Sequence, residues 1–131
     1  MTRREIRELI FKMVFRVEFH TGEEIPEQLR LFMDALDQAG EKDRAYIEHK
    51  VEDLLAHLTE IDEIIDASAT NWKTSRMAKV ELTLIRLAVY EMKFEEGVPT
   101  GVAINEAVEL AKAYGEDNSP AFVNGVLARI A

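Results

Sequence analysis

The chain has 131 residues and no cysteine, a length that forms one domain with a core of its own. The absence of cysteine excludes a thiolate nucleophile, a zinc–thiolate site and a disulfide framework, and it favours a reducing cytoplasm. The net charge of −9 argues against indiscriminate nucleic-acid binding, yet residues 1–16 carry five cations against two carboxylates. We therefore expect a soluble cytoplasmic protein with a basic N-terminal end, and neither a signal peptide nor a membrane anchor.

The first predicted helix runs from about Arg3 to Phe19. Its apolar residues recur at helical spacing and form one buried face: Ile6, Leu9, Ile10, Met13, Val14 and Val17. The opposite face carries Arg4, Arg7, Phe11 and Phe15. Aromatic rings beside guanidinium groups suit single-stranded RNA, because unstacked bases stack on rings and phosphates attract cations. Packing of both rings under a later helix is the alternative, and the residues alone do not decide between the two.

Three further helices follow at the same spacing. The second begins near Pro26 and ends at Gly40, the third begins near Lys42, and Thr59 is the expected cap of the fourth. The fourth helix carries three carboxylates, Asp62, Glu63 and Asp66. We interpret them as a solvated acidic face rather than a metal site, because the histidines do not follow the Glu-x-x-His spacing of di-iron bundles.

The stretch from Ser75 to Phe94 predicts the central helix of the fold. Apolar residues from Val80 to Met92 fall on almost every side of the helix, and such a helix must be surrounded by others. Thr74 or Ser75 is the expected cap, and Trp72 is expected to fill the core. Ionisable residues in this stretch must be paired with other polar groups or lie where no neighbouring helix covers them. They are Glu81, Arg86 and Glu91.

Two more helices complete the chain. A tight connection at Gly97 leads to a helix from about Val102 to Tyr114, whose small alanines favour close packing on the central helix. Ser119 is a good N-cap, and Pro120 a good first residue, for a seventh helix. The turn with Asn118 and Ser119 is then a candidate anion site, because free N–H groups point out of a helix N-terminus.

The sequence contains no recognised catalytic pattern. It lacks a phosphate loop, a Gly-x-Ser-x-Gly elbow, a His-Glu-x-x-His motif and an EF-hand loop. Its three scattered histidines cannot be paired with a nucleophile by spacing. We therefore predict no enzymatic activity, no cofactor and no metal site.

Three segments in order, which together span nearly the whole chain, carry a family resemblance. They are the N-terminal helix with Arg3-Arg4-x-x-Arg7-Glu8, the block from Trp72 to Glu91, and the block from Val102 to Leu127 with its Phe-Val-Asn-Gly run. They resemble the transcription antitermination factor NusB family. The resemblance implies an all-α fold of about seven helices in two packed subdomains, about 1–58 and 59–131.

The same resemblance implies a function. Family members bind boxA-type single-stranded RNA of ribosomal RNA leaders together with the small-subunit ribosomal protein that acts as Nus factor E, and so act indirectly on elongating RNA polymerase. The RNA-binding set implied here is Arg3, Arg4, Arg7, Phe11, Phe15, Asn118 and Ser119. The family commonly has a basic residue where this chain has Pro120-Ala121, so we expect a lower RNA affinity.

The resemblance also places the ribosomal protein on helices of the second subdomain. Glu81 is the expected polar contact at the edge of that interface. An internal salt bridge from Glu81 to Arg86 or to another cation is the alternative.

Two other functions stay open at this point. A similar helical domain begins some ribosomal-RNA cytosine methyltransferases, although the end of this chain at Ala131 favours a freestanding factor. The other is a scaffold or homodimer that uses the aromatic face as a protein contact and never touches RNA. Direct binding to boxA-type RNA distinguishes the scaffold from the antitermination factor.

Overall fold

A computed structural model describes residues 1–37, 39–68 and 71–131. These residues form seven α-helices and no strand. The helices are α1 (Arg3–Val17), α2 (Ile25–Asp34), α3 (Glu41–Ala56), α4 (Leu58–Ser68), α5 (Lys79–Lys93), α6 (Thr100–Tyr114) and α7 (Ser119–Ile130), with a 3-10 turn at Thr74–Arg76. The predicted all-α class and the number of helices are confirmed. None of the described helices is long and apolar enough to cross a membrane.

The Cα positions cluster into two compact units, Met1–Leu55 and Ala56–Ala131. The first unit contains α1, α2 and nearly all of α3, and α1 contacts α2. Its fully buried side chains come from the predicted apolar stripes of α1 and α3: Ile10, Met13, Ile47, Val51 and Leu54.

A capping box begins α1. The Thr2 hydroxyl accepts a hydrogen bond from the Glu5 N–H at 3.1 Å, and the Glu5 carboxylate accepts one from the Thr2 N–H at 2.8 Å. Two of the N–H groups that a helix leaves without partners are satisfied in this way. The box fixes the first turn, which carries Arg3 and Arg4.

The second unit is organised around α5, which contacts α4, α6 and α7. All residues from Leu82 to Glu91 are buried, as the apolar pattern predicts for a surrounded helix. Full burial of each large apolar side chain stabilises the fold by about 1.5–3 kcal/mol. On α6 the buried positions include three alanines, Ala103, Ala107 and Ala111, whose small side chains let the α6 and α5 backbones approach closely.

The buried cation of α5 has the partner that its burial requires. Arg86 is 8% exposed, and its Nε and Nη2 donate to the two carboxylate oxygens of Asp62, both at 2.8 Å. This bidentate geometry offsets the desolvation of the guanidinium. The prediction that Asp62 belongs to a solvated face is therefore wrong. Asp66 is engaged as well, because its carboxylate accepts the N–H and the hydroxyl of Thr74 at 2.7 and 3.1 Å.

Several helix ends differ from the prediction. Thr74 opens the 3-10 turn instead of capping α5, which begins five residues later at Lys79. Thr59 lies inside α4 and does not cap it. In the first unit α1 ends at Val17 and α2 at Asp34, before the predicted ends at Phe19 and Gly40. Residue 38, which belongs to the predicted second helix, lies outside the described residues. An apolar stripe can continue past the last helical turn, so periodicity fixes helix ends poorly.

Candidate functional site

The cations predicted to bind RNA lie at the start of α1. Arg3 and Arg4 are exposed in the first turn, and Arg7 is half-buried one turn later. The pKa of the Glu5 carboxyl is lowered by the bond from the Thr2 backbone N–H and further by the Thr2 hydroxyl. The capping box is therefore in its ionised, bonded form at neutral pH. It presents the arginines on a helix end that is already formed.

The two predicted stacking rings differ in exposure. Phe11 is only 2% exposed, so its assignment to RNA binding is wrong, because a base cannot reach a ring inside the core. Phe15 is half-buried, with its centroid 5.9 Å from that of Phe11. On its other side Phe19 lies edge-to-face at 5.1 Å and is 58% exposed.

The accessible aromatic pair is therefore Phe15 with Phe19. Phe19 was missing from the predicted set, although its position four residues after Phe15 continues the spacing of Phe11 and Phe15. Residues four apart share a helix face. Because Phe19 follows the end of α1, a pattern read within the helix does not include it.

A cavity in the first unit is lined by acidic residues. Its volume is about 310 Å³, and three acidic residues, Glu5, Glu8 and Asp37, contribute to its lining. Carboxylates repel phosphate, so this cavity is a poor binding site for RNA.

The turn before α7 is built differently from the prediction. Ser119 is the first helical residue rather than the cap, and it is 3% exposed. Its N–H donates to the Glu116 carbonyl oxygen at 3.0 Å. Its hydroxyl accepts the Glu116 N–H at 3.0 Å and donates to a Glu81 carboxylate oxygen at 2.8 Å.

Both Ser119 groups that could meet an anion are thus used inside the second unit. The prediction that Ser119 contacts RNA directly is wrong for this reason. Asn118 occupies the N-cap position, is exposed and makes no side-chain capping bond. Of the two predicted contacts in this turn, Asn118 is the one that is exposed to solvent.

Glu81 does not form the salt bridge that was the alternative to a partner contact. Arg86 is bound to Asp62 instead. Glu81 is half-buried, and among the described residues its side chain bonds to the neutral Ser119 hydroxyl and to no cation. Its negative charge is available to a basic partner.

A groove beside α7 brings together aromatic and cationic side chains that the sequence pattern did not group. Trp72, predicted to fill the core, is 50% exposed, and the Arg76 guanidinium carbon lies 5.7 Å from its ring centroid. The groove has a volume of about 200 Å³, and its lining includes Trp72, Phe122, Gly125 and Arg129. A ring beside guanidinium groups can take an unstacked base here as on α1.

The prediction for Trp72 is wrong because the residue lies on an irregular segment outside the helices, where no apolar stripe indicates what covers it. No spacing rule groups Trp72 with Arg76, because Trp72 precedes the 3-10 turn and lies outside the α-helices. Within the described residues, no group of acidic and histidine side chains is placed to hold a metal ion.

The family model for NusB matches residues 4–131. The chain belongs to the NusB family. The transcription antitermination protein NusB of Agathobacter rectalis is 57% identical over 131 residues, which cover all of both chains. The NusB protein of Lachnoclostridium phytofermentans is 46% identical over 130 residues, covering 99% of this chain and 98% of its own.

Solved NusB structures share the arrangement of seven helices. NusB of T. maritima is 34% identical and superposes with a TM-score of 0.91, over 100% of this chain and 91% of that one. A crystal structure of the antitermination factors NusB and NusE in complex with dsRNA contains a chain that is 27% identical, with a TM-score of 0.85 over 98% of this chain and 94% of that one. The fold described above is therefore the NusB fold.

Proposed function

We propose that this protein is a transcription antitermination factor. It binds boxA-type single-stranded RNA of ribosomal RNA leaders together with the small-subunit ribosomal protein that acts as Nus factor E, and acts through that complex on elongating RNA polymerase. Membership of the NusB family supports this function, and the complex of a similar NusB with NusE and dsRNA supports both kinds of partner.

The observation that carries the proposal is the exposed, capped first turn of α1. Arg3 and Arg4 supply charge for phosphates, while Phe15 and Phe19 supply accessible rings further along the same segment. Arg7 adds a third cation, partly covered. Neutralising phosphates with cations and stacking bases on rings are the two main terms of single-strand binding.

In the second unit, Asn118 and the groove at Trp72 are the proposed additional RNA contacts. Asn118 and Trp72 are exposed. The Arg76 guanidinium lies beside the Trp72 ring, and Arg129 contributes to the lining of the groove. Glu81 is the proposed contact for the ribosomal protein. A basic partner and an acidic body attract one another at long range, which raises the rate of association.

This function involves no catalytic step, cofactor or metal ion, and it belongs in the cytoplasm, where nascent transcripts are made. The relatives named above are antitermination proteins, which favours a freestanding factor over a methyltransferase module. A homodimer that covers the aromatic face is a separate outcome, which sedimentation of the free protein detects.

The decisive experiment is a titration of labelled boxA-type RNA with this protein, with and without the ribosomal protein, at two salt concentrations. A scrambled RNA of the same length is the control. We expect modest RNA binding by the protein alone and tighter RNA binding when the ribosomal protein is present. Linkage requires RNA to raise the affinity for the ribosomal protein by the same factor. Absence of RNA binding in both titrations would refute the proposal and favour the scaffold.

A further inference from the structure

The Ser119 hydroxyl connects two secondary structure elements of the second unit. It donates to the Glu81 carboxylate on α5 at 2.8 Å and accepts the Glu116 N–H of the α6–α7 turn at 3.0 Å. A hydroxyl has one proton to donate, so its direction is fixed by Glu81, and its remaining lone pairs serve the turn. Because Ser119 is buried, water competes poorly for either bond.

The turn is closed tightly around this residue. A Cβ atom added at Gly115 would lie 2.6 Å from the Ser119 Cβ, 2.7 Å from its Oγ and 2.8 Å from the Ala111 carbonyl oxygen. No side chain fits there without displacing the turn. In so closely packed a region, a shift of Ser119 moves the turn with it.

The residues at the two ends of this connection are proposed contacts for different partners. Glu81 is the contact for the ribosomal protein, and Asn118, next to Ser119 in the chain, is a contact for RNA. We propose that Ser119 is a positioning residue that transmits docking at Glu81 to the RNA-contacting turn at Asn118. This inference rests on the proposed function and assigns the coupling between its two partners to one hydroxyl.

The physical basis is preorganisation. The Glu81 side chain is half-buried; a cationic group docked on its carboxylate would hold it in one position. The Ser119 proton and the Glu116 N–H bond would then be held as well, so the turn is ordered before RNA arrives. RNA loses less conformational freedom on binding to an ordered turn, and by linkage it raises the affinity of the partner equally.

Substitution of Ser119 by alanine tests the inference. Ser119→Ala removes both hydrogen bonds but keeps the Cβ that faces Gly115. We expect the ribosomal protein to strengthen RNA binding about fivefold or more in the unmodified chain, the lower end of usual allosteric coupling, and less than about twofold in the variant. The matched control is Ser75→Ala, an exposed serine of the 3-10 turn, which should keep the full coupling.

Glu81→Gln separates coupling from docking. Its amide oxygen still accepts the Ser119 proton, whereas the loss of its charge should lower the affinity for the ribosomal protein. Full coupling in a folded Ser119→Ala variant would overturn the inference and leave the proposed function standing. Failure of the unmodified chain to bind RNA would overturn the proposed function and the inference together.

A measurement without substitution covers the case in which Ser119→Ala fails to fold. Amide resonances of Glu116 and Asn118 in the unmodified protein should shift when the ribosomal protein is added without RNA. If the resonance of Glu81 moves while those of the turn do not, docking occurs without transmission, and the inference is wrong.

Discussion

Phe11, Phe15 and Phe19 are four residues apart along the chain but differ in exposure, and this difference predicts what each contributes. Phe15→Ala or Phe19→Ala should cost about 1–3 kcal/mol of RNA affinity, because each removes a face on which a base can stack. Phe11→Ala should instead cost about 3–5 kcal/mol of folding stability, as for other buried phenylalanines.

Fluorescence anisotropy with boxA-type RNA and thermal unfolding measure the two effects separately. Unchanged RNA affinity in folded Phe15→Ala and Phe19→Ala variants would remove the aromatic pair from the interface. A Phe11→Ala variant that keeps its melting temperature would contradict the burial of that ring.

The ion pair between Arg86 and Asp62 makes a second prediction at the residue scale. Asp62→Asn removes the negative charge beside a buried guanidinium and should lower the free energy of unfolding by about 2–3 kcal/mol. This is less than the usual cost for a fully buried pair, because Asp62 is partly exposed. Glu63→Gln is the control on the same helix, since Glu63 is exposed. Urea unfolding of both variants is the measurement, and equal midpoints would show that the pair contributes nothing.

At the scale of elements, α5 could be predicted most securely. A run that is apolar on all sides of a helix leaves no exposed face, so the sequence alone identifies it as surrounded. The stripes of α1 and α3 were predictable in the same way. Periodicity shows that a face is covered but not which helix covers it, and it says nothing of rings outside the stripe. Phe11 and Trp72 were misassigned for that reason.

The hydrogen bond from Ser119 to Glu81 shows a second limit of prediction from sequence. The two residues are 38 positions apart, and no local spacing connects them. The resemblance to the family predicts separate roles for them, an RNA contact for Ser119 and a protein contact for Glu81. Only the three-dimensional arrangement shows that Ser119 serves Glu81 and the turn instead of an RNA phosphate.

The capping box of α1 predicts a pH dependence for that helix end. Folding lowers the pKa of Glu5 from its ordinary value of 4.5, so the ionised form stabilises the folded state above pH 4.5. This contribution is lost as the pH falls through the lowered pKa. The hydrogen-exchange protection factors of the α1 N-terminal amides, which are corrected for the intrinsic pH dependence of exchange, should therefore fall on acidification below about pH 4.5.

A second carboxyl provides an internal control for this effect. The pKa of Glu24 is lowered mainly by the Thr21 backbone N–H and also by the Thr21 hydroxyl, so the Thr21 amide resonance should titrate in the same pH range. In Glu5→Gln the Thr2 amide should lose its pH-dependent shift while Thr21 keeps it. Retention of both shifts would show that the capping box does not cause the first.

For the molecule as a whole, positive charge is concentrated at the N-terminal end, where RNA is proposed to bind. Residues 1–16 hold five of the sixteen Lys and Arg residues of a chain whose net charge is −9. Because the total charge opposes RNA, binding should depend on these few cations and on salt. For single strands, each phosphate contact contributes about −0.7 to the slope of log K against log salt.

Loss of Arg3 or Arg4 should therefore make this slope less steep by about 0.7. Arg30→Ala is a suitable control, because Arg30 on α2 is already paired with Glu27 and Asp34, both at 3.3 Å. Equilibrium titrations at four or more salt concentrations give the slopes. Equal slopes for the unmodified protein and the Arg3→Ala and Arg4→Ala variants would show that these side chains contact no phosphate.

The exposure of Trp72 gives the chain an optical reporter of its own. It is the only tryptophan in the sequence, so all indole emission comes from the groove beside α7. A base stacked on the ring should quench this emission, whereas an apolar side chain that covers it should shift the emission to shorter wavelength without quenching. The emission spectrum thus shows whether unlabelled RNA or unlabelled ribosomal protein occupies the groove. If neither changes the spectrum, the groove belongs to neither interface.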